Sequence, residues 1–220
     1  MCGRFTFTLS LEDLMAYLGV EQVQFDFEPR YNIAPTQKVI AAIEANRERR
    51  VGQLQWGLIP NWSKDERIGS KLINARSETI VQKPSFRMPF QRKRCLIPAD
   101  GFYEWKRETD RKQPYRITLA DRQIFSFAGL YDSWKHPDGY DVHTCTLLTT
   151  APNETMETIH DRMPVILHRA DEARWLSPAL SDEERLSLLR PYTGAMEAYP
   201  VSTAVNSARY DHPDCIQPIG

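Results

Sequence analysis

A cysteine stands at position 2, behind only the initiator methionine. Methionine aminopeptidase removes Met1 when the next residue is small, and cysteine qualifies, so the mature chain is expected to begin at Cys2. An N-terminal cysteine carries an α-amine, with a reference pKa of about 7.7–8.0, and a thiol, with one of about 8.5, on the same short unit. Such a 1,2-aminothiol does chemistry closed to an internal cysteine. Its amine condenses with an aldehyde to an iminium, and its thiol then adds to the same carbon and closes a thiazolidine ring. A second route is attack on an acyl carbon, with the α-amine as base. Without further support, Cys2 would be a leftover position in a frayed terminus. The polar residues further along give that support.

Glu104 is the one acid in the aromatic strand Phe102-Tyr103-Glu104-Trp105-Lys106, and it shares a face with Phe102. A carboxylate flanked by aromatics is desolvated, which raises its pKa toward a general-acid range. The alternative is an exposed glutamate on a strand edge. Asn74 and Arg76 lie in a short strand that leads into a polar run, and alternate residues of a strand face the same way. The asparagine offers a donor and an acceptor, and the arginine a phosphate fork. His160 closes a short helix, residues 154–159, capped by Asn153. There the helix dipole favours its charged form, which alone is a capping role. Trp56 and Trp62 flank a Gly57 and Pro60 loop; one suits the core and the other a stacking platform for a flat substrate.

The elements that must position these residues are short. Ser10 to Gly19 reads as a first helix, with Asp13 completing an aspartate version of the capping box and Gly19 as its stop. A loop with Asn32 and Pro35 precedes a strand-like run over 38–43; residues 46–50 form a charged hairpin tip, and Val51 to Gly57 returns. Residues 95–99, 114–119, 124–130, 142–150 and 164–167 read as further strands, with a turn over 132–141. Two helices follow, 171–176 and 181–189; Ser181 with Glu184 makes a second capping box. Residues 201–206 read as a late extended segment. The pattern predicts an α+β fold: one domain over 1–220, with a strand-rich, barrel-like core and short peripheral helices.

The composition narrows the function. The chain has 220 residues and a net charge of −1, which is not the globally basic profile of a generic nucleic-acid binder. Any such site must be a local groove; Arg92-Lys93-Arg94 is a basic cluster, while 171–185 is acidic. No apolar run reaches membrane-spanning length and no signal peptide is visible, which predicts a cytoplasmic protein. The four cysteines, Cys2, Cys95, Cys145 and Cys215, are widely spaced free thiols with no CxxC, so neither a metal nor another cofactor is expected. Cys95 and Cys145 sit in apolar runs as packing residues.

Taken in order, Cys2-Gly3-Arg4-Phe5, Tyr31-Asn32-Ile33-Ala34-Pro35, Trp56-Gly57-Leu58-Ile59-Pro60, Ile73-Asn74-Ala75-Arg76-Ser77-Glu78, Pro98 to Trp105, His160-Asp161-Arg162-Met163-Pro164 and Val201 to Asn206 resemble the SRAP family, the SOS response-associated peptidases or abasic-site processing proteins. The resemblance runs over essentially the whole chain and suits a bacterial member. It implies a shield for abasic sites in single-stranded DNA that forms a covalent thiazolidine crosslink through Cys2. Crosslink reversal, a weak lyase activity and an autoproteolytic activity are also implied. By the same resemblance Glu104 is the catalytic acid that opens the deoxyribose, His160 exchanges protons as the ring closes, and Asn74 orients cysteine and sugar. Arg4, Arg76 and Arg162 hold backbone phosphates, Trp62 and Pro35 flank the bases, and Arg87 and Asn32 complete the DNA contacts. The implied partner is single-stranded DNA, bound by a monomer that is nucleoid-associated when engaged. Two other readings stay open: an N-terminal-nucleophile amidohydrolase with Asn74 in the oxyanion hole, and a non-covalent module for single-stranded DNA.

Overall fold

In the computed structural model, described over residues 2–46 and 48–219, the strands in chain order are β1 (Arg4–Phe7), β2 (Arg30–Ile33), β3 (Lys38–Ala45), β4 (Glu48–Trp56), β5 (Asn74–Arg76), β6 (Arg94–Ala99), β7 (Gly101–Arg107), β8 (Lys112–Leu119), β9 (Phe125–Lys135), β10 (Asp141–Thr150), β11 (Met163–Pro164), β12 (Ile166–Leu167) and β13 (Met196–Pro200). The helices are α1 (Leu11–Leu18), α2 (Pro84–Arg92), α3 (Glu154–Glu157), α4 (Arg169–Leu176) and α5 (Asp182–Ser187). Strands β10, β4, β3, β6 and β9 pair in that order, and β9 pairs back onto β10, so the sheet closes into a barrel. Closure removes the exposed edges that an open sheet would leave. The β4–β10 contact is parallel, with Cys145 beside Trp56; the other barrel pairings are antiparallel. Beyond the end of β4, the short β5 continues alongside β10 and sets Asn74 opposite Leu147. The fold is thus α+β with a barrel core, as the strand pattern predicts.

A second, antiparallel sheet runs β13-β8-β7-β1-β2. It packs on one end of the barrel through aromatic side chains. Phe5 of β1 meets Trp56 at 5.3 Å and Phe127 at 5.6 Å, both edge-on, and Phe102 of β7 meets Phe127 at 6.1 Å. Such edge-to-face pairs add about 0.5–1.5 kcal/mol each beyond area burial. The other face of this sheet carries Tyr103 against Val201, Val205 and Cys215 of the C-terminal segment.

Local signals account for several element ends. Ser10 and Asp13 form the full capping box of α1, Gly19 ends it with φ 68°, and Ser181 and Glu184 box α5. Gly57 has φ 133°, and a Cβ there would sit 2.7 Å from the Gly69 carbonyl oxygen, so only glycine lets this loop cross itself before β5.

Four expectations change. Residues 84–92 form α2, which two prolines obscure; Pro84 sits at the start, where its missing N–H costs nothing, and Phe86 and Phe90 supply a buried face. Residues 201–206 are extended only at their start, where Val201 bridges Pro218; Ser202 then caps a 3-10 turn over Thr203–Asn206, and the strand proper lies earlier, at β13. The 164–167 strand is two pieces, β11 on β10 and β12 on β9, because the chain switches partners at Val165. The 92–94 cluster is no basic patch. Arg94 is buried and donates to the carbonyls of Phe90, Gln91, Trp175 and Ser177, while Lys93 pairs with Asp132 at 2.6 Å. No helix among the described residues is long and apolar enough to cross a membrane.

Candidate active site

Cys2 leads directly into β1, whose register on β7 sets Arg4 opposite Tyr103 and so brings Cys2 alongside the Glu104–Trp105 stretch. The Asn74 side chain, at the start of β5, donates from Nδ2 to the Cys2 carbonyl oxygen at 2.8 Å. His160 follows α3 in the loop that leads to β11, and its Nε2 lies 3.9 Å from Glu104 Oε1. Four residues scattered through the sequence thereby converge at the junction between the two sheets. Glu104 is 3% exposed, so its buried reading prevails over the edge reading. Beside them opens a cleft of about 470 Å³ lined by Glu104, Trp105, Lys112, His160 and Asn206.

The electrostatics favour a protonated thiol. Cys2 is fully buried; burial first, and the Glu104 carboxylate second, push its pKa well above the ordinary thiol range. Its Sγ sits 3.7 Å from the Arg4 carbonyl oxygen. Burial and the neighbouring carboxylate thus both disfavour the thiolate relative to an exposed cysteine. His160 has a partner for either protonation state. The Arg162 backbone N–H donates to Nδ1 at 3.0 Å, which puts the proton of the neutral ring on Nε2, facing Glu104. When the ring is doubly protonated, Nδ1 instead meets Asp161 Oδ1, 2.9 Å away. Asn74 Oδ1 is buried with no hydrogen-bond partner among the described residues, which leaves an acceptor beside Cys2.

The residues expected to hold DNA divide into two groups. Arg4 donates to Asn32 Oδ1 and to the carbonyls of Val205 and Asn206, and burial lowers its pKa. Asn32 is fully buried and donates to the carbonyls of Val205, Ser207 and Tyr210. Arg162 makes a two-pronged ion pair with Glu78, at 2.7 and 3.0 Å, and donates to the Thr149 carbonyl at 2.8 Å. These three brace the walls of the site. The second group faces solvent: Arg76 and Arg87 are exposed, Trp62 is 58% exposed on the loop after β4, and Pro35 is half-buried. Of this group, Arg76 lies two residues along β5 from Asn74, and Arg87 sits on α2.

Three lining residues escaped the sequence reading. Trp105 donates from Nε1 to Asn206 Oδ1 at 2.7 Å, so the two form one wall, and Lys112 brings a cation to the cleft. Trp105 and Asn206 each stand at the end of a quoted motif; the pairing that joins them is not local. Met1 and its removal lie outside the described residues. Among those residues no cluster of histidine, cysteine or carboxylate side chains could hold a metal.

A family model described as SOS response associated peptidase (SRAP) matches residues 1–208. The abasic site processing protein YoqW of Bacillus subtilis is 50% identical over 222 residues, covering 99% of each chain. The abasic site processing protein YedK of Escherichia coli is 32% identical over 229 residues, covering 100% of each. A crystal structure of a protein from Bacteroides thetaiotaomicron superposes with a TM-score of 0.88 at 32% identity, covering 99% of this chain and 100% of that one.

Proposed function

The chain belongs to the SOS response associated peptidase family, whose model spans nearly its whole length, and from that premise we propose that it captures abasic sites in single-stranded DNA by a covalent bond to Cys2. Relatives that align from end to end carry the name abasic site processing protein. The observation that carries the reading is the convergence of Cys2, Asn74, Glu104 and His160 beside an open cleft. One chain supplies the whole set, so a monomer suffices.

The chemistry follows from the positions. After Met1 is removed, the Cys2 α-amine attacks the ring-opened aldehyde of the abasic sugar. A C–N bond forms, water leaves, and an iminium results. The thiol adds to the same carbon and gives up its proton, so the net change is protein plus DNA less one water. Glu104 is the acid that protonates the sugar ring oxygen and frees the aldehyde, and the same group assists reversal. His160 exchanges protons with Glu104 across the cleft. Asn74 fixes the Cys2 backbone by its donor, and its unpaired Oδ1 is an acceptor for the amine. A thiol kept protonated by burial suits this order, because sulfur waits for the iminium. If ring closure lags, β-elimination of the 3′-phosphate competes, which gives a weak lyase activity.

Specificity need not come from bases, since the aldehyde exists only at the lesion. DNA contacts then position the backbone alone. Exposed Arg76 and Arg87 supply phosphate contacts and Trp62 a stacking surface, while Arg4, Asn32 and Arg162 act by shaping the site, with Pro35 at its margin. A net charge of −1 leaves such a groove local, and binding weakens with added salt.

Intact-mass spectrometry after incubation with single-stranded DNA bearing one abasic site tests this reading. The expected product is the protein without Met1 plus the DNA, less water. Cys2→Ala is expected to lose the adduct and keep reversible DNA binding. An adduct that persists in Cys2→Ala, or none from wild-type protein shown to lack Met1, would overturn the proposal and turn attention to amide substrates of the N-terminal cysteine.

A further inference from the structure

The barrel's two ends differ, and the end away from Cys2 is open. There a cavity of about 290 Å³ lies between β3, β4, β9 and β10. The register accounts for its lining. Ala41 pairs with Gly52, Ile43 with Arg50, and Ser133 with His143, on the same inward face that carries Trp56 and Phe127 deeper in the barrel. Ile43, Leu54 and Tyr131 make a half-buried apolar wall, a surface that a closed barrel ordinarily covers with its own side chains.

Gly52 is the telling residue. It lies inside a strand, its φ is outside the left-handed region, and a Cβ built on it would meet nothing within 4 Å. Neither backbone conformation nor packing requires glycine there, and glycine in a strand interior weakens it by about 0.5–1 kcal/mol relative to alanine. The β3–β4 register runs unbroken through Gly52, so no bulge explains it, and a strand glycine also suits a place where another group approaches the backbone. The rim shows what that is. Arg50 is exposed and has no carboxylate partner among the described residues, and His143 is held at Nδ1 by Ser133 Oγ, 2.8 Å away. An apolar pocket with a cation at its mouth fits a molecule with an apolar body and one anionic group. Its volume of about 290 Å³ falls just below the range of about 300–1,000 Å³ for small-molecule sites, which limits the body to one or two rings.

We propose that the open end of the barrel is a binding site for a small aromatic carboxylate, which lays its ring against Gly52 and Tyr131 and its carboxylate on Arg50. The site is separate from the Cys2 cleft and does not depend on the abasic-site reading. Isothermal titration of the whole protein with 1-naphthoate tests it. Saturable one-to-one binding is expected below about 1 mM. Gly52→Leu fills the cavity and is expected to abolish binding with the fold intact by circular dichroism; should it fail to fold, Ser133→Leu closes the same mouth from the opposite wall. Arg50→Glu, at the exposed rim, is expected to weaken binding at least about tenfold through charge reversal. The proposal stands on both losses together. No saturable binding below about 1 mM, or a cavity-filling or charge-reversed variant that binds like wild type, overturns it.

Discussion

The two ends of the barrel use the same strands to opposite purpose. At the closed end, Phe5, Trp56, Phe102, Phe125 and Phe127 interlock at centroid distances of 5.3–6.1 Å. This packing immobilises β1, and Cys2 lies just ahead of its first residue; Glu104 lies on the neighbouring β7 and Asn74 on a strand added to β10. At the open end, Ala41, Gly52 and Ser133 leave space, and the wall is only half-buried. Side-chain volume is concentrated beside the residues proposed to react, and it thins out at the other end. Misplacement of about 1 Å can cost a factor of a hundred in rate.

The largest difference expected between the ends is in stability. Phe127→Ala at the closed end should destabilise the protein by about 3–5 kcal/mol, because the ring is fully buried and touches three others. Leu54→Ala, half-buried at the open end, should cost about 1–2 kcal/mol, since less area leaves contact with protein. Urea unfolding of the two variants measures both. Equal costs would mean that the open end is packed as tightly as the closed one, and the contrast would fail.

A smaller effect probes the electrostatics of the closed end. Burial is the main cause that raises the Cys2 thiol, and the Glu104 carboxylate is the next. Both disfavour the thiolate, which is the species that reacts with iodoacetamide. Alkylation of Cys2 should therefore be slow at pH 8 and should keep accelerating above pH 9, where an ordinary thiol of pKa about 8.5 has levelled off. Glu104→Gln removes a negative charge that opposes ionisation, so the thiol pKa falls and the thiolate fraction at a given pH rises. Alkylation is then expected to speed up severalfold, a full unit of pKa being tenfold. Mass spectrometry of Cys2 peptides reads this directly. An unchanged rate would assign the whole perturbation to burial. A slower rate would reverse the sign assigned to Glu104.

Much of this was legible in the sequence where the cause is local. The boxes Ser10–Asp13 and Ser181–Glu184 and the stop at Gly19 each involve residues within one turn, and they appear as read. Glu104 was ambiguous because alternation gives a strand two faces without saying which is covered. Its burial depends on the packing of one sheet on another. The Asn74 to Cys2 bond depends on β5 pairing in parallel with β10, a contact across more than seventy residues that no local pattern encodes. The arginines show a different limit. A guanidinium fork fits carbonyl oxygens as well as phosphate, and Arg4, Arg94 and Arg162 all donate to backbone carbonyls inside the protein. Residues 201–206 misled because Val201, Thr203 and Val205 are β-branched, whereas Ser202 caps a turn that buries Val201 and Val205 together.

The smallest expected effect is the one that separates an open end from a merely loose one. Gly52→Ala adds a methyl group that would meet no atom within 4 Å and needs no change of backbone conformation. Its only general consequence is to restrict the unfolded chain, which should stabilise the protein by about 0.4–1 kcal/mol. Thermal unfolding of the two proteins without ligand would show a melting temperature higher by a few degrees at most. A lower melting temperature would mean that Gly52 is held by packing, and the open end would then be another closely fitted surface. A higher one would mean that the fold forgoes stability that a single methyl group restores, as expected of a position kept clear for a molecule from outside.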